Sequence, residues 1–164
     1  MTAPVSAFVG ETIYLDSMLP YALLRGIDPA VKPFFDRIER GALLAYTSAL
    51  TFDELAYRLV LALIKDHYGD SPLDRLRKEE EKLIAEFAPT VVPQLRRLRS
   101  FPHLTVLDVL ASDLETLGEA MIQYQLRPRD ALHFAAMQRV GCLDLASNDH
   151  HFDRVPDIRR FTLG

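Results

Sequence analysis

The chain has 164 residues, is 49% hydrophobic and 26% charged, and carries a formal net charge of −4. That length supports one domain spanning 1–164 with a full core, the composition excludes disordered and fibrous classes, and the charge excludes a protein that attracts polyanions through its overall field. The single cysteine, Cys142, excludes an intramolecular disulfide and a cysteine-based zinc cluster. Apolar runs such as 42–46 and 59–64 fall short of the roughly 20 residues that a bilayer helix needs, and the first residues lack a secretory pattern. The expectation is a cytoplasmic protein without a membrane span.

In chain order, Thr12-Ile13-Tyr14-Leu15 is a short β-prone run ending at Asp16-Ser17, and Met18 onward reads as helical up to Gly26. Asp28-Pro29 predicts a helix start, with Asp as N-cap and Pro in the first turn, and Gly41 its stop. Residues 43–46 make a second strand punctuated by Thr47-Ser48. A helix follows over 50–67, with Leu55, Leu59 and Leu63 on one face and Glu54 in its first turns. The charge-rich segment 68–101 reads as a helical arm, broken or kinked by Pro89 and Pro93. Residues 104–107 make a third strand, Ser112 to Glu115 resembles a capping box opening a helix, and Pro128 starts another that Gly141 ends. A fourth strand over 143–146 runs into Ser147-Asn148-Asp149, and 160–163 suggests a last one. Strands alternating with helices imply an α/β fold, a central, mainly parallel sheet covered on both faces, whose ligands lie beyond the carboxyl ends of the strands.

Four acids fall at that end: Asp16 and Asp149 after strands, Glu54 and Asp130 near helix starts. Together they would make an oxygen-rich cluster suited to Mg²⁺ or Mn²⁺ and to phosphodiester hydrolysis. Taken singly, each has a bland reading as a cap, an i,i+4 partner or a turn residue. Asp53 points about 100° away from Glu54 around the helix, so only one of the two reaches the cluster. His133 lies one turn after Asp130 and reads as a packed or hydrogen-bonded histidine. His150 and His151 lack the third spaced ligand of a zinc site. Basic clusters at Arg75/Arg77/Lys78 and Arg96/Arg97/Arg99 read as solvated helix faces, whereas Arg127 and Arg129, just before Asp130, are candidate phosphate contacts.

These elements resemble the PIN domain family, and within it VapC-like toxin ribonucleases. The resemblance rests on Tyr14-Leu15-Asp16-Ser17, on Ser48 followed by Thr51-Phe52-Asp53-Glu54-Leu55, on Arg129-Asp130-Ala131-Leu132-His133, and on Ser147-Asn148-Asp149 with Phe152, in order along almost the whole chain. It implies a three-layer α/β/α sandwich and a metal-dependent endoribonuclease with Asp16, Glu54, Asp130 and Asp149 as catalytic and metal-binding acids. Ser17, Ser48, Ser147 and Asn148 match polar positions that orient water, metal or the acids. It further implies an RNA substrate, a homodimer and a small antitoxin partner. Two features depart from the family's pattern: His151 stands where many relatives carry an acid, and the 68–101 segment is longer than in compact toxins. The competing readings are a noncatalytic PIN-fold module binding RNA or protein, and an aspartyl-phosphate enzyme, which would want a second acid where Met18 stands.

Overall fold

A computed structural model describes residues 2–164. Six strands, β1 (Ala3–Pro4), β2 (Thr12–Leu15), β3 (Leu44–Ser48), β4 (Leu104–Leu107), β5 (Asp144–Ala146) and β6 (Arg159–Thr162), form one sheet in the order β1-β6-β5-β2-β3-β4. Every neighbouring pair is parallel. The helices are α1 (Met18–Arg25), α2 (Val31–Glu39), α3 (Ala49–Tyr68), α4 (Pro72–Lys78), α5 (Glu80–Arg99), α6 (Asp113–Tyr124) and α7 (Pro128–Val140). Among the described residues, none is long and apolar enough to cross a membrane.

The layering follows from strand order and handedness. From β2 the chain moves outward to β3 and β4, then returns to lay β5 and β6 on the other side of β2. Right-handed crossovers that travel in opposite directions put their helices on opposite faces. Helices α1 to α5 therefore share one core with Ile13 and Leu15, while α6 and α7 share the other with Tyr14 and Leu145. The alternation along β2 sends successive side chains into the two cores. The winding reverses between β2 and β5, where Tyr14 pairs with Leu145 and Leu15 with Ala146. A crevice opens past the carboxyl ends at such a reversal.

Local signals misplace several boundaries. Asp28 does not cap a helix that begins at Pro29: its Oδ1 accepts from the Ala30 N–H at 2.8 Å, closing a turn, and α2 starts at Val31. The helix 112–125 lacks the capping box; Ser112 makes no side-chain cap bond, and Asp113 Oδ2 takes the Leu110 N–H at 2.9 Å instead. Asp113 is buried against Arg139, which joins α6 to α7. The second strand extends through Thr47 and Ser48, because those residues pair with Val106 and Leu107. The two-residue β1 and the 3-10 turns at Val5–Ala7 and His150–Arg154 carry no periodic signal that would reveal them.

The 68–101 segment breaks at Glu79, whose φ of −131° leaves the helical region, and not at its prolines. Pro89 and Pro93 lie inside α5 on its exposed side, four residues apart, while Leu83, Phe87, Val91 and Leu98 turn inward to the core shared with α3. Helices bow convex toward solvent, and their outer hydrogen bonds are the weakest. A proline on that stripe deletes a bond that contributes little there. An interior proline still costs about 3 kcal/mol relative to alanine, offset by about 0.4–1 kcal/mol of chain stiffening in the unfolded state. Pro89→Ala and Pro93→Ala should therefore each raise stability by about 2–3 kcal/mol in urea unfolding. Lower stability in either variant would mean that the bow is needed to seat Phe87 and Val91.

Candidate active site

Four chain segments converge on the crevice. Asp16 follows β2 directly, and its N–H donates to Ala146 O at 3.1 Å, continuing the ladder toward β5. Glu54 lies in the second turn of α3, Asp130 is the third residue of α7, and Asp149 enters the 3-10 turn after β5. All four line one cleft of about 720 Å³, together with Met18, Tyr57 and Arg58.

Hydroxyl groups tie the acids together. Ser147 Oγ donates to Asp16 Oδ2 at 2.6 Å and accepts from the Asp149 N–H at 3.0 Å, so one side chain fixes the ends of β2 and β5 relative to each other. Ser17 Oγ lies 3.2 Å from Glu54 Oε2 and 3.4 Å from Asp16 Oδ1, and the Ser17 N–H donates to that same Oδ1 at 2.7 Å. Arg160, almost fully buried, backs this arrangement: Nη1 donates to Ser147 O at 3.1 Å while the guanidinium pairs with Asp153. Sequence reasoning missed Arg160, since nothing local distinguishes it from an exposed strand arginine.

Two of the expected polar residues, Ser48 and Asn148, make no hydrogen bond to an acid of the cleft among the described residues. Ser48 is buried, and its Oγ has no hydrogen-bond partner among the described residues. Asn148 lines the cleft, but its Oδ1 accepts from the Leu163 N–H at 3.0 Å, anchoring the end of β6 and not an acid. The arginines expected to meet phosphate are both paired with acids. Arg127 donates through Nε to Asp130 Oδ2 at 3.2 Å and through Nη2 to Asp149 Oδ2 at 2.9 Å. Arg129 pairs with Asp53 at 3.2 Å, both exposed. Asp53 is not among the residues that line the cleft, in keeping with its helical spacing from Glu54.

Electrostatics separates the four acids. Burial pushes Asp130 above the usual carboxylate range, against the pull of Arg127 and with the charges of Asp149 and Asp16 adding to the rise. Burial alone would also raise Glu54, but the His133 hydrogen bond and charge, Ser17 and Arg129 together outweigh it and hold Glu54 below its ordinary value. Asp149 likewise ends below the ordinary range: burial opposes ionisation, and the His151 N–H, the His151 ring and Arg127 more than compensate.

Donor chemistry sorts these groups into two sets, Asp16/Glu54/His133 and Asp130/Asp149/His151, each with its ligand atoms within 4.8 Å of one another. Carboxylate oxygens suit Mg²⁺ and Mn²⁺, so the residues present fit a hard divalent cation. His133 was expected to be packed or hydrogen-bonded and is both: its ring is buried, Nδ1 lies 2.8 Å from the Tyr14 hydroxyl, and Nε2 lies 2.6 Å from Glu54 Oε1. Half-exposed Tyr57 and Arg58, on the outer side of α3, add an aromatic and a basic group to the cleft wall that the sequence did not single out.

Comparison with known proteins places the fold and the family. The PIN domain family model matches residues 13–158, and the chain belongs to that family. Its structure is similar to VapBC2 from Rickettsia felis bound to a promoter DNA fragment (TM-score 0.62, 13% identity, covering 92% of this chain and 98% of that one). It is also similar to Mycobacterium tuberculosis VapC20, described as a Sarcin-Ricin loop cleaving toxin (TM-score 0.55, 16% identity, 86% and 92% covered). A third similar structure is FitAcB from Neisseria gonorrhoeae (TM-score 0.54, 17% identity, 91% and 96% covered). No curated protein matches the chain by sequence.

The opposite shifts of Asp130 and Glu54 predict opposite effects on stability. Glu54, depressed in the folded state, contributes stability that is complete above its ordinary value and is lost as pH falls through the lower, folded one. Asp130, raised when folded, opposes folding while ionised, and the penalty disappears as pH falls through its raised value. In metal-free protein at neutral pH, Asp130→Asn should raise Tm and Glu54→Gln should lower it, on a scale of about 2–4 °C per kcal/mol for a chain of this size. Thermal scans from neutral to acid pH check this. Both differences should shrink once the carboxyls are protonated, and a lower Tm for Asp130→Asn at neutral pH would contradict the assignment.

Proposed function

We propose that this protein is a metal-dependent endoribonuclease, the toxin of a toxin–antitoxin pair. The observation that carries the reading is the convergence of Asp16, Glu54, Asp130 and Asp149 from four separate segments on one cleft at the winding reversal of the sheet. Membership of the PIN family supports nuclease chemistry, and the description of the similar VapC20 as a Sarcin-Ricin loop cleaving toxin supports the substrate class. A similar structure from Klebsiella pneumoniae is a toxin–antitoxin complex, which supports a protein partner.

Bound Mg²⁺ or Mn²⁺ would polarise the scissile phosphate and supply a water of lowered pKa. The chain's own residues supply the rest. Asp16, Glu54, Asp130 and Asp149 offer the oxygens, and Ser17 and Ser147 hold Asp16 in place. No residue forms a covalent intermediate. Tyr57 offers a stacking face to a base beside the cleft, and Arg58 and Arg129 offer charge to the phosphates. The homodimer expected from the family belongs to the same proposal.

A specific observation favours the noncatalytic alternative: the Arg127 guanidinium already bridges Asp130 and Asp149, neutralising the pair without a metal. The two readings differ in what divalent ions do. Purified protein incubated with labelled RNAs in Mg²⁺, Mn²⁺ or EDTA should cut in the metals alone, and Asp16→Asn or Asp130→Asn should abolish cutting while the fold survives. Near-normal metal-dependent cleavage by either variant would defeat the proposal, and absence of metal binding by the wild type would leave the noncatalytic module.

The basic residues generate a separate prediction. If Arg127 and Arg129 exchange their acidic partners for RNA phosphates, replacing both by Ala in an Asp16→Asn background should weaken RNA binding. It should also flatten the log–log salt slope by about 1–2 units, close to one per lost contact. An unchanged slope in a fluorescence-anisotropy titration would remove them from the RNA-binding surface.

A further inference from the structure

His133 is the buried titratable group that the chemistry above leaves without a role, and its surroundings define one. Each ring nitrogen has one partner: Nδ1 faces the Tyr14 hydroxyl at 2.8 Å, and Nε2 faces Glu54 Oε1 at 2.6 Å. An ionised carboxylate only accepts hydrogen bonds. The proton on that contact therefore belongs to Nε2, which has no lone pair left for a cation although it lies within ligand distance of Asp16 and Glu54. Tyr14 closes the other end. A phenol, with an ordinary pKa of about 10, is protonated at neutral pH. The hydroxyl keeps its proton and holds Nδ1 in place, as donor to a neutral ring or acceptor from a protonated one. The two rings meet edge to face, with centroids 5.7 Å apart.

We propose that His133, held by Tyr14, is a positioning residue that fixes the Glu54 carboxylate and thereby sets the affinity of the cleft for a divalent cation. The inference rests on the metal-dependent reading above. Glu54 is attached to α3, His133 to α7 and Tyr14 to β2, so the relay joins three elements whose spacing the cation must match. It leaves each Glu54 oxygen with one hydrogen bond, from His133 Nε2 on Oε1 and from Ser17 Oγ on Oε2. Each oxygen keeps a second acceptor site. Tyr14 also immediately precedes Leu15-Asp16, so the strand that carries one acid orients the helix residue that carries another.

Outer-shell partners of metal ligands change affinity by about 10–100-fold when removed. The test is Mn²⁺ affinity, read by the free-ion EPR signal, for wild type, His133→Leu, His133→Gln, Tyr14→Phe, Glu54→Gln and the Glu54→Gln/His133→Leu double variant. His133→Leu should bind about 10–100-fold more weakly. His133→Gln, whose amide can place an N–H near the Nε2 position, should recover most of that loss. Tyr14→Phe, which keeps the ring and the fold, should show a smaller loss in the same direction. In the Glu54→Gln background His133→Leu should change nothing further, because the residue acts through that carboxylate.

A purely structural histidine would make His133→Leu and His133→Gln alike and would leave a further loss in the double variant; either result overturns the inference. Wild-type affinity in both His133→Leu and Tyr14→Phe overturns it as well while leaving the nuclease reading intact. Failure of the wild type to bind Mn²⁺ removes both. If His133→Leu does not fold, Tyr14→Phe and His133→Gln decide the question by themselves.

Discussion

Four carboxylates drawn into one cleft repel each other, and much of the architecture around the cleft answers that repulsion. An unpaired carboxylate in a half-buried setting is costly, so each acid here has its own donor: Ser147 on Asp16, His133 on Glu54, Arg127 on Asp130, and the His151 N–H on Asp149. These donors come from β5, α7 and the segments beside them, not from the neighbours of the acids they serve, with the exceptions of Arg127 and His151. The charge cluster and the tertiary structure consequently specify each other. Removing one donor disturbs a carboxylate far away in sequence, as Ser147 and Asp16 illustrate across 131 residues.

The wholly parallel sheet makes the gathering geometrically simple. Reversal of the winding at β2 leaves adjacent β2 and β5 ends without an intervening crossover, and helices that begin on the same side bring Glu54 and Asp130 to the same mouth. The cost of such a sheet is that both faces must be covered. The inward residues of α5, Leu83, Phe87, Val91 and Leu98, help to do that on the α3 side. Long α5 is thus part of the covering that keeps β2 dry on the face of Ile13 and Leu15, as well as an elaboration of the chain between β3 and β4.

The α/β alternation could be read from the sequence because each central strand is a short apolar run and each long helix repeats its apolar residues at the right spacing. Reading failed where a polar residue had two local uses. Asp28 closes a turn before its helix, and Ser112 makes no cap bond while the carboxyl of the next residue takes the N–H of Leu110 ahead of the helix and is fixed by Arg139 from another helix. The prolines of α5 misled for a related reason: their effect depends on which side faces solvent, and that is decided by packing on α3. At the site, the positions of the four acids relative to strands and helices were legible. Their partners were not, because the Glu54–His133 contact spans 79 residues and Arg127's choice of acids over solvent depends on where Asp149 comes to rest.

Arg127 gives the cleft a property that concerns handling as much as chemistry. Its guanidinium is a cation covalently tethered beside Asp130 and Asp149, so dialysis or chelation cannot strip it away as it would a dissolved ion. Any divalent ion that loaded at that pair would have to displace a competitor whose local concentration is set by the length of one side chain and is unaffected by dilution. Without any metal the pair still carries a counter-cation, and the free energy of loading an ion there would be measured from that paired state, not from two bare carboxylates.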